Sequence, residues 1–112
     1  MADFLQVFST IDSKEGAEDI ATQLVEKRLA ACVQVVPGLT SVYWWHDKID
    51  RSAEWLLVIK TTAERFPLLE TALIDIHPYD CPEIVAVKIE KGAAQYLRWM
   101  ETELDGGEKD AG

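Results

Sequence analysis

The chain has 112 residues, enough for one folded domain but too few for two independent hydrophobic cores. Its formal net charge of -9 repels phosphate backbones and anionic lipid, which disfavours nucleic acids and membrane surfaces as partners. The two cysteines and the absence of a signal-peptide pattern at the start favour a reducing compartment, so we expect a cytoplasmic location.

The first predicted element is a strand at residues 4–9, where β-forming residues occur without a polar stripe, as in a strand buried on both faces. A helix is predicted next. Asp12 or Ser13 can cap this helix, because both side chains accept hydrogen bonds from free backbone N–H groups. Its apolar residues recur at helical spacing and are Ala17, Ile20, Ala21, Leu24 and Val25.

Two long extended runs, residues 31–45 and residues 49–61, predict a hairpin that projects beyond a small core. The turn is predicted at residues 46–48, and the Pro37-Gly38 pair predicts a bulge or bend. Three adjacent aromatic residues at 43–45 leave neither face of the strand for water. The run therefore predicts a second protein surface over the strand, most simply another copy of the chain.

A second helix is predicted after Thr61 or Thr62, either of which can cap it, and Pro78 ends it. A fourth strand at residues 83–89 and a short helix from residue 93 to 104 complete the pattern. The order βαββαβ with a trailing helix predicts an α+β, ferredoxin-like sandwich with both main helices on one face of an antiparallel sheet. We assign residues 1–104 to this single domain and residues 105–112 to a flexible acidic tail.

His77 and Cys81 are the candidate metal ligands, since a neutral imidazole and a thiolate suit late transition metals. Asp80 and Glu83 are near them in sequence. The competing interpretation is structural: His77 ends the helix and Cys81 fills a turn. Cys32 is interpreted as a packed strand residue.

Lys60 and Glu83 each adjoin an apolar predicted strand, and a buried charge normally needs a partner. A Lys60–Glu83 pair beside Tyr79 would satisfy both charges. Two interpretations stay open: the pair fixes a subunit interface, or the three residues line a cleft between subunits that binds a small ligand or ion. No nucleophile elbow, phosphate-binding loop or His-Glu-x-x-His motif occurs, so we do not expect an enzyme.

Several segments together resemble one family. They are Leu29-Ala30-Ala31-Cys32, residues 37–45, Lys60-Thr61, residues 77–84, and Gly92 followed by Tyr96, Leu97 and Trp99. From about residue 4 to residue 100, the chain resembles the CutA divalent cation tolerance proteins. The resemblance implies a ferredoxin-like homotrimer whose hairpins clasp adjacent subunits, linked to cation tolerance and to copper binding, with no settled catalytic activity.

The resemblance also implies where relatives hold copper: a Cys at the end of the first strand and two successive His residues before Pro-Tyr. These positions are Ser9, Ile76 and His77 in this chain. We expect a non-catalytic homotrimer that binds or responds to divalent cations, copper above all, and requires no cofactor. The alternative is a trimeric module resembling the PII-like proteins, which binds a small ligand or a partner protein at clefts between subunits.

Overall fold

The computed structural model describes residues 2–107 of the chain as four strands and three helices. In chain order they are β1 (Phe4–Ile11), α1 (Lys14–Glu26), β2 (Cys32–Trp45), β3 (Lys48–Thr62), α2 (Phe66–Ile76), β4 (Val85–Lys88) and α3 (Ala94–Leu104). The strands form one antiparallel sheet in the order β2-β3-β1-β4. The predicted α+β class, the antiparallel sheet and the final helix are confirmed.

The β2–β3 hairpin is the longest feature of the molecule. The molecule as a whole measures 56 Å along its longest axis. Its strand pairing runs from Cys32 opposite Lys60 out to Trp45 opposite Lys48. The predicted bulge at Pro37-Gly38 is confirmed, because the pairing register shifts between Val36 and Leu39 and Gly38 has a φ of 84°.

The hairpin turn is shorter than predicted and consists of His46 and Asp47 alone. Their φ angles are 50° and 62°. A two-residue turn with positive φ at both positions matches the right-handed twist of the strands it joins. The turn therefore continues the twist of the hairpin to its tip.

One face of the sheet packs under α1 and α2. Successive strand residues point to opposite faces, so alternate residues of β1 and β3 converge on this core. The fully buried side chains include Val7 from β1, Leu57 and Ile59 from β3, Leu24 from α1, and Leu69 and Leu73 from α2. This helix-covered face is complete within one chain.

The other face, which we call the open face, is covered only at one end. There α3 packs Met100 and Leu104 against Phe4 and Ala31. Beyond α3 the apolar side chains are exposed: Val85 and Val87 of β4 are each 50% exposed, and Trp45 at the end of β2 is 57% exposed. The predicted apolar surface without a cover is confirmed for the single chain.

The predicted start of α2 is wrong. Thr61 and Thr62 belong to β3, and the Thr61 hydroxyl donates to the Leu29 carbonyl at 2.7 Å instead of capping a helix. The helix begins at Phe66, after Arg65 at the N-cap position. By contrast, Ser13 caps α1 as predicted, because its Oγ accepts the Gly16 N–H at 2.9 Å.

The predicted acidic tail begins at a hydrogen-bonded turn. The Gly107 N–H donates to the Thr102 carbonyl at 2.7 Å, and the Asp105 carboxylate lies 3.0 Å from the Arg65 guanidinium. The remainder of the predicted tail, residues 108–112, lies outside the described residues. Within residues 2–107, no helix combines the length and the apolar character needed to cross a membrane.

Candidate functional site

The segment after α2 fills the edge of β1 that β4 leaves free. Strand β4 pairs with β1 only as far as Phe8, although β1 continues to Ile11. The His77 ring lies beside this free edge, with Nε2 2.9 Å from the Thr10 carbonyl oxygen. Its Nδ1 accepts the Tyr79 N–H at 3.1 Å, so the ring proton is on Nε2 and is donated to Thr10.

His77 is therefore a buried structural residue in the single chain. A metal would need the lone pair that Nδ1 gives to the Tyr79 N–H, or the Nε2 position that donates to Thr10. Cys81 is an exposed free thiol. Among residues 2–107, no group of three or more His, Cys, Asp or Glu side chains is arranged to hold a metal ion. The predicted His77–Cys81 metal site stays a prediction.

The other two positions implied by the family resemblance do not fit copper. The Ser9 hydroxyl is buried without a hydrogen-bond partner, and an alcohol oxygen is a poor substitute for a thiolate. Ile76 has no donor atom and packs against the helix-covered core. Together with the two hydrogen bonds of the His77 ring, these contacts leave no ligand set for copper at this end of β1.

A buried carboxylate at the base of the hairpin is the main polar feature that the sequence analysis missed. Glu54 of β3 is 7% exposed. Its Oε2 accepts a hydrogen bond from the Tyr79 hydroxyl at 2.6 Å, and its Oε1 accepts one from the Ser41 hydroxyl at 2.6 Å. The carboxylate thus ties β2, β3 and the segment after α2 to one point.

The Glu54 carboxylate affects the ionisation of its partner. Burial first, and then the hydrogen bond to Glu54, raise the pKa of Tyr79 far above its ordinary value of 10. Within residues 2–107, no basic side chain lies within ion-pair distance of Glu54. Two neutral hydroxyls therefore hold this buried charge.

The predicted cleft of Lys60, Tyr79 and Glu83 does not form within one chain. Tyr79 pairs with Glu54, which is six residues and about 20 Å along β3 from Lys60. Glu83 is exposed, and in the described part of the chain neither it nor Lys60 forms an ion pair. Lys60 lies on β3 and Glu83 on the loop before β4, which is separated from β3 by β1, so a Lys60–Glu83 pair between copies of the chain stays a prediction.

Lys60 instead belongs to a second polar cluster, on the open face. Its Nζ donates to Gln34 Oε1 at 3.1 Å and lies 6.0 Å from the centre of the Tyr96 ring. Burial, and then the neighbouring Cys32 thiol, raise the pKa of Tyr96. Cys32 is partly buried and lies directly opposite Lys60 in the sheet.

Comparison with known proteins places nearly all of the described fold in one family. The family model for the CutA1 divalent ion tolerance protein matches residues 5–103. The divalent-cation tolerance protein CutA of Thermus thermophilus is 49% identical over 94 residues, which are 84% of this chain and 91% of that protein.

Solved structures of relatives superpose closely on the chain. CutA from Xylella fastidiosa has a TM-score of 0.90 and 42% identity, covering 93% of this chain and 100% of that one. The periplasmic divalent cation tolerance protein CutA from Archaeoglobus fulgidus has a TM-score of 0.86 and 36% identity, covering 93% and 99% of the two chains. The chain belongs to the CutA1 divalent ion tolerance protein family.

Proposed function

We propose that this chain is a non-catalytic homotrimer that binds divalent cations, with copper as the leading candidate, and takes part in tolerance of them. The observation that carries the proposal is the family match over residues 5–103. The relatives from Thermus and Archaeoglobus are named as divalent-cation tolerance proteins. No catalytic motif occurs in the sequence, which supports binding rather than turnover.

The exposed apolar surface supports self-association. Val85, Val87 and Trp45 are each half or more exposed, and the strand register places them on the same face of the sheet. A surface of this kind is typical of a subunit interface. A second and a third copy would bury it, in keeping with the trimer that the family resemblance implies.

Metal binding in such a trimer requires ligands from more than one copy. The exposed Cys81 thiol supplies one soft ligand, and Asp80 and Glu83 add exposed carboxylates next to it in sequence. A thiolate favours copper or zinc over magnesium or calcium. His77 would join the site only if its ring left Thr10 and Tyr79, so Cys81 is the stronger of the two predicted ligands.

Calorimetric titration of the metal-free protein with Cu(II) and with Zn(II) tests the proposal. The chain contains two cysteines and two histidines, so each candidate has a matched control. Cys81→Ser should weaken copper binding and Cys32→Ser should not. His77→Gln is compared with His46→Gln at the hairpin tip. No binding of either metal at millimolar concentration would overturn the proposal.

A PII-like ligand-binding role is the second candidate, and one observation favours it. The two polar clusters, at Glu54 and at Lys60, lie on the sheet rather than among the exposed loops. Lys60, Tyr79 and Glu83 from different copies would still be able to line one cleft. Titration with a nucleotide and with a dicarboxylate, against the metal titration, separates this role from metal tolerance.

The cytoplasmic location also stays a proposal. Both cysteines are free, which suits a reducing compartment. The Archaeoglobus relative is described as periplasmic, which is the competing location. Fractionation of cells that produce the protein distinguishes the two compartments.

A further inference from the structure

The polar cluster around Lys60 interrupts an otherwise apolar part of the open face. In the sheet, Lys60 of β3 lies between Gln6 of β1 and Cys32 of β2. Residues that are paired in this way point to the same face, so the three side chains form one row across the sheet. The next two rows pass through Val58 and Leu56 of β3. None of these three rows contains an acidic residue, although the chain has 20.

Lys60 differs from the other basic residues of the described chain. Of the ten that lie within residues 2–107, eight are exposed and only Lys60 and Arg65 are partly buried. Arg65 pairs with Asp105 at 3.0 Å. Lys60 has no carboxylate within 4.0 Å among the described residues, and its hydrogen-bond partner is the neutral Gln34 amide. No negative charge among residues 2–107 therefore balances the Lys60 ammonium.

The cluster offers more hydrogen-bond donors than acceptors. The Lys60 ammonium has three N–H groups and donates one to Gln34 Oε1. The Gln34 and Gln6 amides each carry two further N–H groups. Tyr96 closes one side with its ring, 6.0 Å from the ammonium, a distance at which an aromatic face still stabilises a cation. Such a set matches an oxyanion, which accepts hydrogen bonds and supplies negative charge.

We propose that Lys60, Gln34 and Gln6 form a binding site for a small oxyanion, a carboxylate or a phosphate, bordered by Tyr96. The site lies on the open face. The inference rests on the proposed function in one respect: the anion is enclosed only if copies of the chain assemble over this face. Covering this face without an anion would bury the Lys60 charge unpaired, which is unfavourable. The anion would therefore be held between copies rather than on a free surface.

Titration of the metal-free protein with inorganic phosphate and with succinate, at constant ionic strength, tests the site. We expect saturable binding of at least one anion, and Lys60→Gln should weaken it about tenfold or more, as the loss of a charge-assisted contact requires. Lys88→Gln is the matched control, because Lys88 is exposed on the same sheet. It should leave the affinity unchanged. Phosphate binding alone identifies a phosphate site, and succinate binding alone a carboxylate site.

Absence of saturable binding of both anions would overturn the site, as would binding that Lys60→Gln leaves unchanged. Sedimentation of the Lys60→Gln variant adds a second readout. If the variant assembles less well and the wild type binds neither anion, the counter-charge is a carboxylate of another copy, and the anion site is wrong. The metal titration uses Cu(II) and Zn(II) as probes, whereas this experiment uses phosphate and succinate. A failure to bind metal would therefore leave the result of the anion titration interpretable.

Discussion

The two faces of the sheet differ in how far a single chain completes them. Val7 and Ile59, on the face under α1 and α2, are fully buried, whereas Val85 and Val87, on the open face, are half exposed. The residue types are alike, so composition does not explain the difference. Helices α1 and α2 cover one face, whereas the short helix α3 covers only one end of the open face. One sheet therefore carries a complete core on one face and an apolar surface with only a partial cover on the other.

A charge on the open face should have the largest effect. Val36 is 42% exposed in the single chain, where Val36→Asp would be well hydrated. If other copies cover the face, the carboxylate is buried without a partner, which costs about 3–5 kcal/mol per chain. Sedimentation should show dissociation of the variant. Thr22→Asp, with the same charge change on the exposed side of α1, should assemble normally. Normal assembly of Val36→Asp would place this part of the face outside the interface.

A cavity under the helices should destabilise the chain itself. Leu57 is fully buried in the helix-covered core, so Leu57→Ala should lower the free energy of unfolding by about 2–5 kcal/mol in urea titrations. Ala53→Gly, on an exposed part of the same strand, is the comparison and should cost about 1 kcal/mol or less. Equal losses in the two variants would contradict the assignment of the core.

Removal of the buried carboxylate should have an intermediate effect. Glu54→Ala leaves the Ser41 and Tyr79 hydroxyls without their acceptor, which should lower the free energy of unfolding by about 1–3 kcal/mol. Glu83→Ala removes an exposed carboxylate on the loop before β4 and should change it by about 0.5 kcal/mol or less. Thermal unfolding measures the change in stability of both variants. A larger loss of stability in Glu83→Ala than in Glu54→Ala would show that Glu83, and not Glu54, is the structural carboxylate.

The stability should also depend on alkaline pH through Tyr79. Its pKa is raised in the folded chain, so above its ordinary value of 10 the unfolded chain loses this proton first. The unfolded state then binds fewer protons, and the free energy of unfolding falls as the pH rises. This contribution is fully present below pH 10. At pH values above about 10, the free energy of unfolding of Tyr79→Phe should therefore fall less steeply than that of the wild type. An unchanged slope would contradict the buried hydrogen bond.

The smallest predicted effect compares two serines with opposite environments. Ser9 is buried without a partner, so Ser9→Ala should raise the free energy of unfolding by about 1 kcal/mol. Ser41 donates to Glu54 at 2.6 Å, so Ser41→Ala should lower it by about 1 kcal/mol. Urea unfolding of the two variants measures both changes, and a loss of stability in Ser9→Ala would contradict the assignment of Ser9 as a buried hydroxyl without a partner.

Local patterns in the sequence were sufficient to predict most of the fold. The Pro37-Gly38 pair marks the bulge, and Ser13 caps α1, because each acts through neighbours in the sequence. The start of α2 was misplaced because Thr61 and Thr62 have the side chains of a cap but pair with β1 as strand residues. The pairing of Thr61 and Thr62 with β1 outweighed their local preference for a helix N-cap.

The candidate site was harder to predict because its residues meet through the fold. Glu54 and Tyr79 are 25 positions apart, and only the wrapping of the segment after α2 brings them into contact. One signal was available: an acid between Ala53 and Trp55, inside a run that otherwise reads as a strand. Glu83 was predicted instead, because it adjoins an apolar predicted strand and could pair with Lys60.

The mass of the protein in solution tests most directly whether copies of the chain complete the open face. Light scattering across a dilution series should find a particle of three times the 12.6 kDa chain mass, with no well-folded smaller species on dilution. A folded species of 12.6 kDa at working concentration would show that the open face is stable in water, and would contradict the proposed assembly.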